Sequence, residues 1–270
     1  MIHFVKAHAC GNDFLIINAP ELSAEEQRKA AVWLCARNAG VGADGVEYLE
    51  WTSEHSGRIR LFNADGSIAE ISGNGTRCVA AWMAYEKKFS SGEVITLETD
   101  AGTRECRIVE AEGFRFQIES RMGIPTLESR IVELASGSLQ GILVSTGNPH
   151  FVIFVEGPEF SVHGKRWQEI GSEVCFHSDF PEQTNVEFVR VIDTNHIEIR
   201  IFERGVGPTT SSGTGTCASA VATIAHSGGA EHLLVRAPGG EQRVEWHGKG
   251  GEILLAGPAE LIATGEAFGC

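Results

Sequence analysis

The chain has 270 residues, of which 42% are hydrophobic and 21% charged, and its formal net charge is −14. That length builds one large domain or two of ordinary size. The acidity excludes a surface made to grip nucleic acid and fits a protein with a small substrate. No run of 18 apolar residues offers a membrane span, and Met1–Lys6 lacks a secretion-signal pattern. Seven cysteines, at 10, 35, 78, 106, 175, 217 and 270, form no C-x-x-C pair. An odd count without close pairs speaks against a disulfide framework or a zinc ribbon and for a reducing cytoplasm.

In chain order, an apolar start around Val5 leads to a strand at Phe14–Asn18. Ser23-Ala24-Glu25-Glu26 reads as a capping box opening a helix to about Asn38, with Gly40 beyond. Arg58–Asn63 alternates as a strand, and Ala64-Asp65-Gly66-Ser67 is a turn. A buried helix is predicted from Asn74 to about Lys88, followed by three strands with a hairpin turn at Asp100-Ala101-Gly102. The second half has a strand at His150–Val155 and a helix near Lys165–Glu173. Strands at Val186–Val191 and His196–Phe202, a helix from Gly213 to His226 and further strands complete it. The class is α+β, with strands outnumbering helices.

The chain also resembles itself. Ile59-Arg60-Leu61-Phe62 matches Ile199-Arg200-Ile201-Phe202, and Ser72-Gly73-Asn74-Gly75-Thr76 matches Ser212-Gly213-Thr214-Gly215-Thr216. Gly45-Val46-Glu47-Tyr48-Leu49 matches Asn185-Val186-Glu187-Phe188-Val189, and Gly11-Asn12 matches Gly147-Asn148. Anchors in one order over such a length indicate a duplicated domain, not a short-period solenoid. The expected organisation is an N-terminal lobe over 1–118, a C-terminal lobe over 119–259, and a segment over 260–270 that returns to the first lobe.

Each Ser-Gly-x-Gly-Thr turn lies between a strand and a helix. Its glycines let a ligand approach the backbone, and the helix behind it offers unpaired N–H groups to an anion. The plainer reading is an N-cap by Ser72 or Ser212. A P-loop is excluded, since neither turn ends in Gly-Lys-Ser/Thr. If a pseudo-twofold brings both turns to one cleft, a small carboxylate there meets one side chain from each face. Such a site suits inversion of a stereocentre.

Gly11-Asn12-Asp13-Phe14, Asn63-Ala64-Asp65-Gly66, Gly73-Asn74-Gly75-Thr76-Arg77-Cys78 and Thr146-Gly147-Asn148-Pro149-His150 resemble motifs of the diaminopimelate epimerase family. So do Thr184-Asn185-Val186-Glu187-Phe188, Glu203-Arg204-Gly205-Val206-Gly207 and Ser211-Ser212-Gly213-Thr214-Gly215. The resemblance spans most of the chain, in family order. It implies two homologous lobes with the active site in the cleft between them. It implies an amino-acid epimerase needing no cofactor and no metal, acting on diaminopimelate in bacterial lysine and peptidoglycan synthesis. A small-molecule substrate, no nucleic acid, no membrane and frequent homodimers go with it. By position, Asn12, Asn63, Asn148 and Asn185 resemble the asparagines that grip the distal end of the substrate. Glu203 and Arg204 resemble the pair at the reacting end. Gly73, Asn74, Gly213 and Thr214 resemble the backbone donors to the α-carboxylate. His150 stands either near the reacting carbon or as a structural histidine.

The departure lies at Ser72 and Ser212, where the family carries its two catalytic cysteines. A thiol of pKa about 8.5 at a helix N-terminus can serve as base or acid, and a hydroxyl ionises far less readily. Cys78 and Cys217 sit too far along each helix to replace them, and Cys10, the other thiol that could approach, reads as packing. The serine pair is either a deliberate exchange that stops turnover or natural chemistry with other groups. In the wider fold family, a serine or threonine for one cysteine goes with dehydration of hydroxyproline-type substrates. An amino-acid-binding relative without epimerase activity, or a related racemase or dehydratase, stays open.

Overall fold

The computed structural model describes residues 1–18, 22–69, 71–227 and 230–268. The last two residues of the expected C-terminal segment, Gly269 and Cys270, lie outside them. The chain divides into two compact units, Met1–Ser120 with Ala256–Cys270, and Arg121–Leu255.

The first unit begins with β1 (Ile2–Ala9) and β2 (Asn12–Asn18), then α1 (Ala24–Cys35), β3 (Gly45–Ser53), β4 (Ser56–Asn63) and the short β5 (Ile68–Ala69). It continues through α2 (Gly73–Lys87), β6 (Val94–Thr99), β7 (Gly102–Glu112) and β8 (Arg115–Arg121). The second runs through β9 (Thr126–Leu134), β10 (Gly137–Ser145), β11 (Pro149–Phe154), α3 (Trp167–Cys175), β12 (Asn185–Val191) and β13 (His196–Glu203). Then follow β14 (Gly207–Thr209), α4 (Gly213–Ser227), β15 (His232–Ala237) and β16 (Gly240–Glu245). The last strand, β17 (Leu254–Ala267), starts in the second unit and ends in the first.

In the first unit β1, β2, β3, β4, β6, β7, β8 and β17 pair in sequence, and β17 returns to β1, closing a barrel. The pairs β2–β3 and β4–β6 are parallel, bridged by α1 and α2, and the rest whose register is resolved are antiparallel. Every strand of the ring sends apolar side chains inward onto α2, whose Cys78, Val79, Ala80, Ala81, Met83 and Ala84 are buried. Small residues on nearly every face let the helix fit there; a helix apolar all round belongs in a core. The opposite faces of β2, β3 and β4 present Leu15, Ile17, Val46, Tyr48 and Phe62 to α1. This is the period-2 alternation of a strand covered on both sides.

The second unit repeats this plan. Its strands pair β9–β10–β11–β12–β13–β15–β16, with β11–β12 and β13–β15 parallel. α4 packs against the inner residues of β10, β11, β12, β13, β15 and β16, and α3 against Phe151, Val186, Phe188 and Phe202. The duplication persists into the hydrogen-bond register. Val46 pairs with Phe62 and Glu47 with Leu61, as Val186 pairs with Phe202 and Glu187 with Ile201.

Several boundaries differ from expectation. α1 has its capping box, with Ser23 Oγ accepting from Glu26 N and Glu26 Oε2 accepting from Ser23 N. It stops at Cys35 instead of Asn38. Ala36 leaves helical geometry at ψ 112, and the amides of Val41 and Gly42 both return to Leu34 O at 2.9 Å. Helix α3 starts at Trp167, because a bridge between Val162 and Lys165 holds the preceding residues in a turn. The hairpin β9–β10 was not foreseen as strands; its pairing over Gly137–Ser145 makes it one.

Within α3, a methyl on Gly171 would lie 2.7 Å from Phe202 Cβ. Gly171→Ala is therefore expected to lower stability by about 1–3 kcal/mol through overpacking, measured as a shift in urea midpoint at unchanged slope.

Candidate functional site

In each unit the starts of two strands, the end of a third and the first turn of the inner helix come together. In the first unit these are Asn12, the Asp44–Gly45 step, Asn63 and Ser72–Asn74. Ser72 is the N-cap of α2, with φ −124 and ψ 122, and its Oγ accepts from Gly75 N at 3.1 Å. Its carbonyl accepts from both the amide and the hydroxyl of Thr76. The plain cap reading of the serine is thus correct as geometry, and the anion-site reading keeps the amides that Ser72 leaves unused.

The polar side chains around this turn are ordered by charge. Arg77, fully buried, donates to Asn74 Oδ1 at 2.6 Å; Asn74 Nδ2 donates to Asn12 Oδ1 at 3.2 Å; Asn12 Nδ2 donates to Asp44 Oδ2 at 2.7 Å. Arg37 ties Asp44 to Asp13, at 2.6 and 2.8 Å, and Lys6 lies 3.0 Å from Asp13. Burial pushes the Asp13 carboxyl up, but bonds to Arg37 and Lys6 outweigh it and hold it below the usual range. Asn63 is tied into its turn, donating from Nδ2 to Ser67 Oγ at 2.9 Å.

The second unit assembles Asn148, His150, Asn185, Glu203, Arg204 and Ser212–Thr214. Ser212 Oγ accepts from Gly215 N at 3.1 Å, and its carbonyl accepts from Thr216 N. Asn185 engages both ends of its amide internally, donating from Nδ2 to Pro149 O and accepting at Oδ1 from Arg204 N. It thereby shapes the Glu203–Arg204 turn. Arg204 is exposed, and its Nη1 reaches Glu182 O at 3.1 Å. His150 is fully buried, with Nδ1 2.7 Å from Glu187 Oε1 and Nε2 3.0 Å from Asn148 Oδ1. Its structural reading is the one this geometry carries.

Cys10 is buried and takes φ 52 in the tight turn between β1 and β2, beside Gly11 at φ 79. Burial raises the thiols elsewhere: Cys35 to about 12, Cys106 to about 11, and Cys78 and Cys175 upward as well. Such thiols are inert toward proton transfer near neutrality. Among the described residues no group of three His, Cys, Asp or Glu side chains is arranged to hold a metal ion. Nor is any helix long and apolar enough to cross a membrane.

Two residues escaped the functional reading of the sequence. Glu47 and Glu187 are wholly buried, at matching positions of β3 and β12, each against the second glycine of its serine turn. A methyl at Gly75 would collide with Glu47 Oε1; one at Gly215 would lie 2.7 Å from Glu187 Oε1. The signal was present, since each is a carboxylate flanked by a valine and an aromatic within a strand. Neither oxygen of Glu47 has a hydrogen-bond partner among the described residues. Burial alone raises its carboxyl to about 8, so it is largely protonated at neutral pH.

A carboxyl whose pKa rises on folding favours the native state fully below its unfolded value, near 4.5, and loses that contribution as pH climbs through about 8. Glu47→Gln is therefore expected to match the unmodified protein near pH 4.5. It should exceed it by up to several kcal/mol at pH 8, read from denaturant melts at both pH values. Equal stability at both would refute a buried neutral acid.

The diaminopimelate epimerase family model matches residues 4–128 and 142–262. A diaminopimelate epimerase of Halothermothrix orenii is 35% identical, covering 98% of this chain and 97% of the relative. One from Moorella thermoacetica is 35% identical, covering 98% and 99%. Among solved structures, a phenazine biosynthesis protein of the PhzF family from Bacillus anthracis aligns with a TM-score of 0.76 at 19% identity, covering 99% of each chain. A hydroxyproline epimerase from Agrobacterium vitis aligns at 0.69 and 15%, covering 98% of this chain and 90% of the other. These two share the fold. Matched along nearly its whole length, the chain belongs to the diaminopimelate epimerase family.

Proposed function

We propose that the protein interconverts LL- and meso-2,6-diaminopimelate without a cofactor, by two-base proton transfer at the α-carbon. The full-length match to diaminopimelate epimerases, together with two serine turns built alike, carries the reading. In it, each turn supplies one of the two proton-transfer groups. A group on one side takes the α-proton, leaving its electron pair on the carbon and the adjoining carboxylate. A group on the other side returns a proton to the opposite face. Gly73, Asn74, Gly213 and Thr214 offer backbone N–H groups to the α-carboxylate, where helix dipoles favour the charge that develops. Glu203 and Arg204 attend the reacting end, while Asn12, Asn63 and Asn148 hold the distal end. Asn185 acts by positioning the backbone of Arg204.

Ser72 and Ser212 occupy the proton-transfer positions. Each hydroxyl accepts from a helix amide, which favours a negative oxygen, yet a hydroxyl starts far above the thiol range. Each pKa unit of mismatch costs about 1.4 kcal/mol. A second reading, amino-acid binding without turnover, is favoured by one observation: the only hydrogen-bond partner of Ser72 Oγ among the described residues is its capping amide.

The deciding measurement is α-proton exchange of LL- and meso-diaminopimelate in D2O. The Ser72→Cys/Ser212→Cys form is expected to exchange at least about 100-fold faster than the serine form, the scale of general acid–base catalysis. Binding without exchange in the serine form supports the second reading. No binding and no exchange in either form would overturn the substrate assignment. Asn63→Ala is expected to weaken diaminopimelate binding about tenfold, the scale of a hydrogen bond to a charged group, as read by calorimetry.

A further inference from the structure

The asparagines Asn12 and Asn148 are related by the duplication, yet their side-chain amides point in opposite senses. In the first unit the donor end of the chain of hydrogen bonds is Arg77, on the helix. Each amide passes the polarity on until Asp44, a carboxylate at the strand end, accepts. Asn12 thus turns its oxygen toward α2. In the second unit Asn148 Oδ1 faces His150 Nε2 at 3.0 Å and accepts from Thr146 Oγ1 at 3.2 Å, while Nδ2 reaches Thr214 Oγ1 at 3.4 Å. Asn148 thus turns its nitrogen toward α4.

A carbonyl oxygen cannot donate, so the hydrogen between His150 and Asn148 belongs to Nε2. One further hydrogen lies in the 2.7 Å contact between Nδ1 and Glu187 Oε1. It comes either from an imidazolium facing a carboxylate or from a carboxylic acid facing a neutral ring. In both cases Glu187 keeps Nδ1 occupied and Nε2 protonated. Both side chains are fully buried, so water cannot substitute. The first unit has no counterpart, for Phe14 stands at the position of His150 and Glu47 lacks a hydrogen-bond partner.

We infer that Glu187 is a positioning residue: through His150 it locks Asn148 with its N–H groups toward α4, against the lock by which Asp44 holds the oxygen of Asn12 toward α2. The pair makes the two duplicated half-sites unlike. Asn148 is set to donate to a carboxylate, and Asn12 is set to accept from an ammonium or amide. Resting on the function proposed above, this fixes the polarity with which Asn148 meets the distal end of the substrate.

The test reads the imidazole directly by 15N NMR at pH 7, with the His150 signal assigned from a His150→Gln variant. The expected result is a proton on Nε2 in the unmodified protein and in Glu187→Gln, whose amide N–H can supply the hydrogen to Nδ1. An Nε2 without a proton in the unmodified protein would overturn the inference. Calorimetry with meso-diaminopimelate adds a second readout. Glu187→Leu, which leaves the ring free to exchange tautomers, is expected to bind about tenfold more weakly, with Glu187→Gln restoring affinity. Equal affinity of the Leu and Gln forms would also overturn it. Should Glu187→Leu fail to fold, the tautomer in the other two forms decides. If the unmodified protein binds no diaminopimelate, the substrate reading fails while the tautomer still decides the role of Glu187.

Discussion

A helix wrapped by strands begins with amide hydrogens that its own carbonyls cannot take. In this protein that constraint acts on α2 and α4. The serine hydroxyls satisfy one amide each, at Gly75 and Gly215, and the small residues that follow let the helices fit among their strands. The remaining N–H groups are what an anionic ligand would use. Capping and recognition therefore draw on the same few atoms, and the glycines serve both by keeping space beside the backbone.

The same crowding explains the buried carboxyls. Glu47 and Glu187 fill the volume that the second glycine of each turn leaves open. A buried carboxylate without partners is costly, so the group stays protonated or shares its proton. Glu47 takes the first course, with burial as the sole cause of its upward shift. Glu187 takes the second with His150; burial raises it while the histidine works in the opposite direction. The duplication thus preserves a shape and lets the chemistry diverge. A serine at each turn holds the cap, because its hydroxyl accepts the amide hydrogen of Gly75 or Gly215. A hydroxyl is not the easily ionised group that a thiol is.

Much of the fold was legible in the chain because its signals are local. The Ser23–Glu26 box announces α1, the Asp100–Gly102 turn announces the β6–β7 hairpin, and the offset of 140 between Phe62 and Phe202 announces the duplication. What misled was equally local. The helical pattern after Cys35 runs on to Asn38, but the carbonyl of Leu34 is claimed from outside by Val41 and Gly42. The β9–β10 hairpin has exposed positions along much of both strands and so lacks a clean apolar alternation.

By itself the sequence determined the family, the repeated strand–turn–helix unit and the residues gathered at each turn, since these depend on spacing and residue type along the chain. Tertiary structure alone decided which of those residues are used internally. Asn185 spends its amide on Pro149 and Arg204, and His150 spends its ring on Glu187 and Asn148. It also decided that Glu47 and Glu187 are buried acids, and that Asn12 and Asn148 face opposite ways. Hydrogen-bond direction is settled by partners dozens of residues away, and a carboxyl's state by the water excluded around it; neither is written in the local order of residues.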